Sequence, residues 1–254
     1  MRWVVLDSKE AVGIAAADQI SRLLQEKPTC VLGLATGGTP LGTYRELIRR
    51  HQTGELEMSR VTTFNLDEYY GLDRDHPQSY WQYMQEHLFR SLPIPEERIH
   101  MPPGKPEQVE ASCLEYEQEI EQAGGIDLQL LGIGANGHIG FNEPAESLQP
   151  ATHLAKLAES TVQANARFFA SPEEVPQYAI TMGIGTIMKA KRIVLLATGE
   201  AKAEILSKLY TSPITTRLPA SMLHMHPHVT ILADREAGSL LPFVQEGIPT
   251  DTLS

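Results

Sequence analysis

Short aliphatic runs and longer amphipathic stretches alternate along the whole chain. The runs fall at residues 3–6, 30–34, 61–66, 126–133, 192–197 and 229–233 and are rich in aliphatic and β-branched side chains. Continuous apolar runs of this length are what parallel strands covered on both faces require. Between them, 9–26 reads as an alanine- and leucine-rich helix with Ser8 placed to cap it, and 41 to about 50 as a second helix. Residues 107–122 read as an acidic helix that stops at Gly124 and Gly125. Residues 78–89 form a further helix whose aromatic stripe, Tyr80, Trp81, Tyr83 and Phe89, reads as core. The five prolines within 91–106 make that stretch mostly irregular. A short strand at 152–157 and a stretch at 178–182 precede a GIGT turn at 183–186, and the tail from Pro242 reads as poorly ordered. The alternation predicts an α/β fold with one doubly wound, mostly parallel sheet flanked by helices, Rossmann-like, in a single domain over 1–254.

The most informative break in the pattern follows the run at 126–133. There the chain reads LLGIGANGHIGFNEP over 130–144. Glycine allows positive φ and close approach of backbone to a ligand. Among the glycines stand Asn136, His138, Asn142 and Glu143. A histidine with a carboxylate nearby has a partner that fixes its tautomer, as a general acid–base needs. In open α/β sheets such loops lie at the carboxyl ends of strands, where ligands bind. GIGANG matches the dinucleotide fingerprint by letters, but Pro144 and the residues before it deny the helix that fingerprint opens.

Two other strand ends carry chemistry. The run at 30–34 feeds ATGGTP and then a helix. Strand, glycine turn, helix is a recipe for an anion site, with free N–H groups and the positive end of the helix dipole aimed at the ligand. Thr36, Gly37, Gly38 and Thr39 are the candidate contacts, and no lysine follows at the P-loop spacing. The run at 61–66 ends in Asp67 and Glu68. Successive side chains in a strand point to opposite faces, so at most one of these two acids enters a site. Lys202 falls in the first turn of a helix, where the dipole disfavours a cation, which predicts an anionic partner.

Composition narrows the classes. The chain has 254 residues, 42% hydrophobic and 21% charged, ordinary for a globular protein. No apolar run is long enough to span a bilayer, and the N-terminus looks like a first strand rather than a signal peptide. Two cysteines without metal-ligand spacing fit a reduced, cytoplasmic protein. A net charge of −11 disfavours nucleic acid and anionic membranes as partners, so an anionic ligand needs a local cationic pocket. His224, His226 and His228 have a spacing that invites a metal reading.

The 132–144 loop closely resembles the GxGxxGHIxFNEP loop of the glucosamine-6-phosphate deaminase family. The ATGGTP turn, the FNLDEYYGL run at 64–72 with the HPQSY that follows, and PASMLHMHPH at 219–228 resemble further family elements, and the likeness extends over residues 1 to about 240. The resemblance implies a cofactor-independent hydrolase that converts glucosamine 6-phosphate and water to fructose 6-phosphate and ammonia, with no metal at the histidines. It implies that Asp67 accepts the proton in the isomerisation step, with Glu68 supporting it. His138 opens the sugar ring, Glu143 holds His138, and Asn136, where many members carry Asp, orients without a charge. Thr36, Gly37, Gly38 and Thr39, with Arg167 and Lys202, take the phosphate, and Arg167 belongs to a mobile lid over 158–178. The activated hexameric members carry basic residues after FNEP where this chain has His153 and Ala155, and they are longer at the C-terminus. An unregulated monomer is therefore expected. Two alternatives share the fold. A 6-phosphogluconolactonase is disfavoured by FNEP and Asp67. A sugar-phosphate sensor is disfavoured by the retained acids and by the lack of room for a helix-turn-helix before Trp3.

Overall fold

The computed structural model describes residues 1–166, 169, 171 and 174–245. The strands are β1 (Arg2–Leu6), β2 (Val31–Leu34), β3 (Thr62–Asn65), β4 (Asp67–Tyr69), β5 (Ile99–His100), β6 (Leu128–Leu131), β7 (His153–Lys156), β8 (Tyr178–Thr181), β9 (Ile193–Ala197) and β10 (Val229–Asp234). The helices are α1 (Lys9–Glu26), α2 (Leu41–Gln52), α3 (Tyr80–His87), α4 (Val109–Gln122), α5 (Glu159–Asn165), α6 (Ile184–Met188), α7 (Ala203–Thr211) and α8 (Pro242–Gln245).

Seven strands form one parallel sheet in the order β1-β10-β9-β6-β2-β3-β5. The period of two decides its two cores. Ile193, Leu195 and Ala197 of β9 pack on one face with Ile205, Leu206 and Leu209 of α7, while Val194 and Leu196 pack on the other with α1 and α2. Ser8 caps α1 through its side chain, as the sequence predicts. After β2 the chain builds outward through β3 and β5; after β6 it builds the opposite way through β9 and β10. The reversal leaves a crevice at the carboxyl ends of β2 and β6, where open α/β sheets bind ligands.

A second sheet, antiparallel and ordered β4-β8-β7, stands over that crevice. Leu66 joins the two sheets: its N–H bonds Leu34 O at 3.0 Å and its carbonyl accepts from Met182 N at 2.8 Å. Tyr69, Phe141, Ala155, Leu157 and Ala179 form its small core.

Two local expectations change, at 183–186 and past Pro242, and a third gains a detail. The GIGT segment opens α6 instead of turning: a Cβ on Gly183 would lie 2.3 Å from Ala151 O and one on Gly185 2.7 Å from Pro150 O, so these glycines let a helix pack on backbone. The proline-rich stretch still contributes an edge strand, β5, beside β3. Past Pro242 the chain starts as α8 with Phe243 in the core, because Phe243 and Leu241 have an apolar floor to cover. No helix among the described residues is long and apolar enough to cross a membrane.

Candidate active site

The loop after β6 folds tightly on itself. Gly134 N bonds His138 O at 3.0 Å, and Gly137 and Gly140 take positive φ, 87° and 56°. A Cβ on Gly134 would sit 2.3 Å from the His138 ring, so glycine there is what lets the imidazole lie over the backbone. Asn136 works in two directions. Its Oδ1 accepts the His138 backbone N–H at 3.1 Å and its Nδ2 donates to Glu143 Oε2 at 2.6 Å. The same Glu143 oxygen is 3.2 Å from His138 Nδ1, and the Thr161 hydroxyl donates to the other oxygen, Oε1, at 2.6 Å. Burial alone would push the Glu143 carboxyl up, but the hydrogen bond and charge of His138 and the bonds from Thr161 and Asn136 bring it down to about 2. An ionised Glu143 accepts only, so the hydrogen between the two sits on His138 Nδ1, which leaves Nε2 for the ring's chemistry on the cleft side.

Asp67 and Glu68, neighbours on β4, part company as strand alternation requires. Glu68 turns to the start of α3 and accepts the backbone N–H groups of Tyr69, Tyr80 and Trp81 at 2.8, 2.8 and 2.9 Å. Asp67 is buried at the wall of the cleft, and its carboxylate has no hydrogen-bond partner among the described residues. Burial first, and then the charge of Glu68, pushes the Asp67 carboxyl up to about 8. Thr181, its register partner on β8, accepts Phe141 N at 3.1 Å through its hydroxyl, which ties the histidine loop to the strand of the acid.

The other part of the cleft lining is the glycine turn after β2, with Lys202. Gly37 has φ 97°, and nothing lies within 4 Å of a Cβ on Gly37 or Gly38. Pro40 stands at the N-cap of α2 and no side chain caps the helix, so its first N–H groups remain available. The Tyr83 hydroxyl donates to Gly37 O at 2.5 Å, and the Tyr44 hydroxyl bonds Ala35 O. Half-buried Lys202, in a short 3₁₀ turn before α7, donates to Ile133 O at 2.7 Å. The anionic partner expected for it is absent among the described residues: a carbonyl orients the ammonium and no carboxylate lies within 4.0 Å. Burial shifts its pKa down.

These groups share one cleft of about 340 Å³, lined by Thr36, Gly37, Gly38, Thr39, Asp67, Asn136, His138 and Lys202. Its size suits a small metabolite. Glu143 stands behind His138. Arg167 lies outside the described residues, as do 168, 170, 172 and 173 of the expected lid. The aromatic stripe of α3 is only partly core: Trp81 and Phe89 are buried, Tyr80 lines the cleft and Tyr83 holds the glycine turn, because Glu68 pins the start of α3 beside the site. Thr161 was not singled out by the pattern, since a threonine in a polar, alanine-rich segment carries no mark of its partner. The three histidines diverge: His224 and His226 place Nε2 on the carbonyls of Leu209 and Ala190 at 2.9 and 2.7 Å.

A family model for glucosamine-6-phosphate isomerases and 6-phosphogluconolactonases matches residues 7–232. The chain is 53% identical over 242 residues to a glucosamine-6-phosphate deaminase of Thermoanaerobacter pseudethanolicus, covering 95% of this chain and 96% of the relative. The chain belongs to the glucosamine-6-phosphate deaminase family. Within it, glucosamine-6-phosphate deaminase 2 of Bacillus subtilis is 52% identical, covering 95% of this chain and 98% of that protein. A solved structure described as a monomeric glucosamine-6-phosphate deaminase superposes with a TM-score of 0.92 at 50% identity, covering 94% of this chain and all (100%) of that one. A 6-phosphogluconolactonase of Leishmania guyanensis shares the fold, with a TM-score of 0.74 at 21% identity and 93% and 97% coverage.

Proposed function

We propose that this chain is a glucosamine-6-phosphate deaminase, converting glucosamine 6-phosphate and water to fructose 6-phosphate and ammonia in amino sugar breakdown. The observation that carries the reading is the arrangement of one cleft: a histidine–carboxylate pair on one wall, a lone buried acid on another and an anion seat at the far end. The phosphate sits over Thr36, Gly37, Gly38 and Thr39, against the N-terminus of α2 and the ammonium of Lys202, with Arg167 adding a further cation. Binding energy gathered there, remote from the chemistry, fixes the amino sugar against the reacting groups.

His138 moves a proton between the C1 hydroxyl and the ring oxygen, and the pyranose opens. Glu143 and Asn136 hold the imidazole for that step, Glu143 by charge and Asn136 by orientation. Asp67, kept from water, then carries a proton between C2 and C1 through an enolamine. The C2 amine is lost as ammonia when water adds to the resulting ketimine, which makes the reaction a hydrolytic deamination that these side chains perform without a cofactor. Buried, unpaired Cys30 and Cys113 suit a reducing cytoplasm as the place of work.

The test is incubation of the purified chain with glucosamine 6-phosphate, with ammonia and fructose 6-phosphate both measured and Asp67→Asn as control. Equimolar release of the two products, lost in the control, is expected. Hydrolysis of 6-phosphogluconolactone without release of ammonia from the amino sugar would move the chain to the lactonase branch.

A further inference from the structure

Glu143 is gripped from two elements. Its Oε2 faces Asn136 and His138 of its own loop, and its Oε1 takes the Thr161 hydroxyl from α5. Thr161 is buried and lines the cleft. Its backbone N–H is already bonded to Ala158 O at 2.9 Å, so the hydroxyl alone faces the catalytic loop. Val162, next in the helix, packs against the small core that includes Phe141 of that loop. A buried carboxylate oxygen that loses its donor pays a desolvation penalty and turns toward another. The two oxygens of a carboxylate move together, so a turn at Oε1 takes Oε2 away from His138 Nδ1.

We propose that Thr161 is a positioning residue for sugar-ring opening: the seating of α5 against the cleft, reported through its hydroxyl, aligns Glu143 with His138. This rests on the deaminase reading. The first chemical step then depends on one hydrogen bond donated from α5.

The experiment compares wild type, Thr161→Val and Thr161→Ser in kcat and KM for glucosamine 6-phosphate. It adds affinity for the acyclic aminoalditol 6-phosphate, which has no ring to open, and melting temperature. Thr161→Val keeps the shape and removes the donor, and its kcat is expected to fall about 10- to 100-fold. Its affinity for the acyclic analogue stays within about twofold of wild type, and Thr161→Ser recovers most of the loss. In a Glu143→Gln background Thr161→Val adds nothing further, because the two act as one unit. Unchanged kcat in Thr161→Val, equal losses in Val and Ser, or a parallel loss of affinity for the acyclic analogue each overturns the proposal. Thr161→Ala serves in the same comparison if the valine variant melts early. A wild-type chain without turnover overturns the deaminase reading itself, and that result is seen before any variant is made.

Discussion

Asp67 and Glu68 are adjacent acids with opposite fates, and the difference lies in their donors. Burial raises both carboxyls, but three backbone N–H groups face Glu68 and offset part of its rise, whereas Asp67 looks into the cleft with no described donor and is raised to about 8 by burial and by its neighbour. A proton acceptor must be ionised, so kcat/KM is expected to climb with pH toward about 8 and level off beyond it. The same shift has a stability consequence of definite sign. The folded state holds the Asp67 proton more tightly than the unfolded chain, so this contribution is complete below the ordinary value of 3.8 and is lost as pH rises through about 8. Asp67→Asn removes the charge. It is expected to lower kcat by about 10²- to 10⁴-fold. It should melt with wild type near pH 4 and above it at pH 8, on a scale of about 2–4 °C for each kcal/mol. A variant that melts lower at pH 8 than wild type would contradict the buried-acid account. Glu143 runs the other way: its carboxyl is held at about 2, so its contribution is present above the ordinary 4.5 and lost as pH falls through about 2.

At the scale of elements, the glycine loop after β6 is where backbone and chemistry meet. Gly134 has no room for a Cβ because the His138 ring occupies the place, whereas Gly38 has open space. Gly134→Ala is expected to displace the imidazole and cut kcat about 10²-fold or more, the cost of a misplacement near 1 Å. Gly38→Ala is expected to leave the histidine alone and to raise KM instead, by crowding the anion seat proposed above. The kcat–KM split between the two variants is the measurement, and equal effects on both constants in both variants would break the assignment. Much of this was legible in the sequence. The runs at 30–34, 126–133, 192–197 and 229–233 are apolar enough to be strands of a covered sheet, and the glycines with Asn136, His138 and Glu143 mark their own loop. The small antiparallel sheet was harder to see. β4 is only 3 residues long and begins with two acids, and its partner β8 comes more than 100 residues later, at Tyr178–Thr181. Nothing local announces such a pairing, yet it is what buries Asp67. Lys202 shows the converse. The dipole argument found a cation in want of an anion, but the partner among the described residues is the carbonyl of Ile133, which no local pattern marks.

At the scale of the whole molecule, the cleft lies by the point between β2 and β6 where strand order reverses, and it gathers residues that follow β2, β3, β6 and β9. The sequence carries His153 and Ala155 where the activated members of the family it resembles carry basic residues, and that is the ground for expecting an unregulated monomer. On that expectation the chain sediments as a 28.1 kDa particle and gives hyperbolic substrate saturation. Its net charge of −11 complicates the measurement, because repulsion between like-charged copies keeps them apart at low salt whatever their surfaces prefer. The decisive run is in about 1 M salt, where the Debye length falls to about 3 Å and only short-range complementarity decides association. A single-chain mass at both salt concentrations with a Hill coefficient of one supports a self-contained, unregulated enzyme. A larger mass in high salt together with a sigmoidal curve would show that copies of the chain communicate, and the site would then have to be read as one of several.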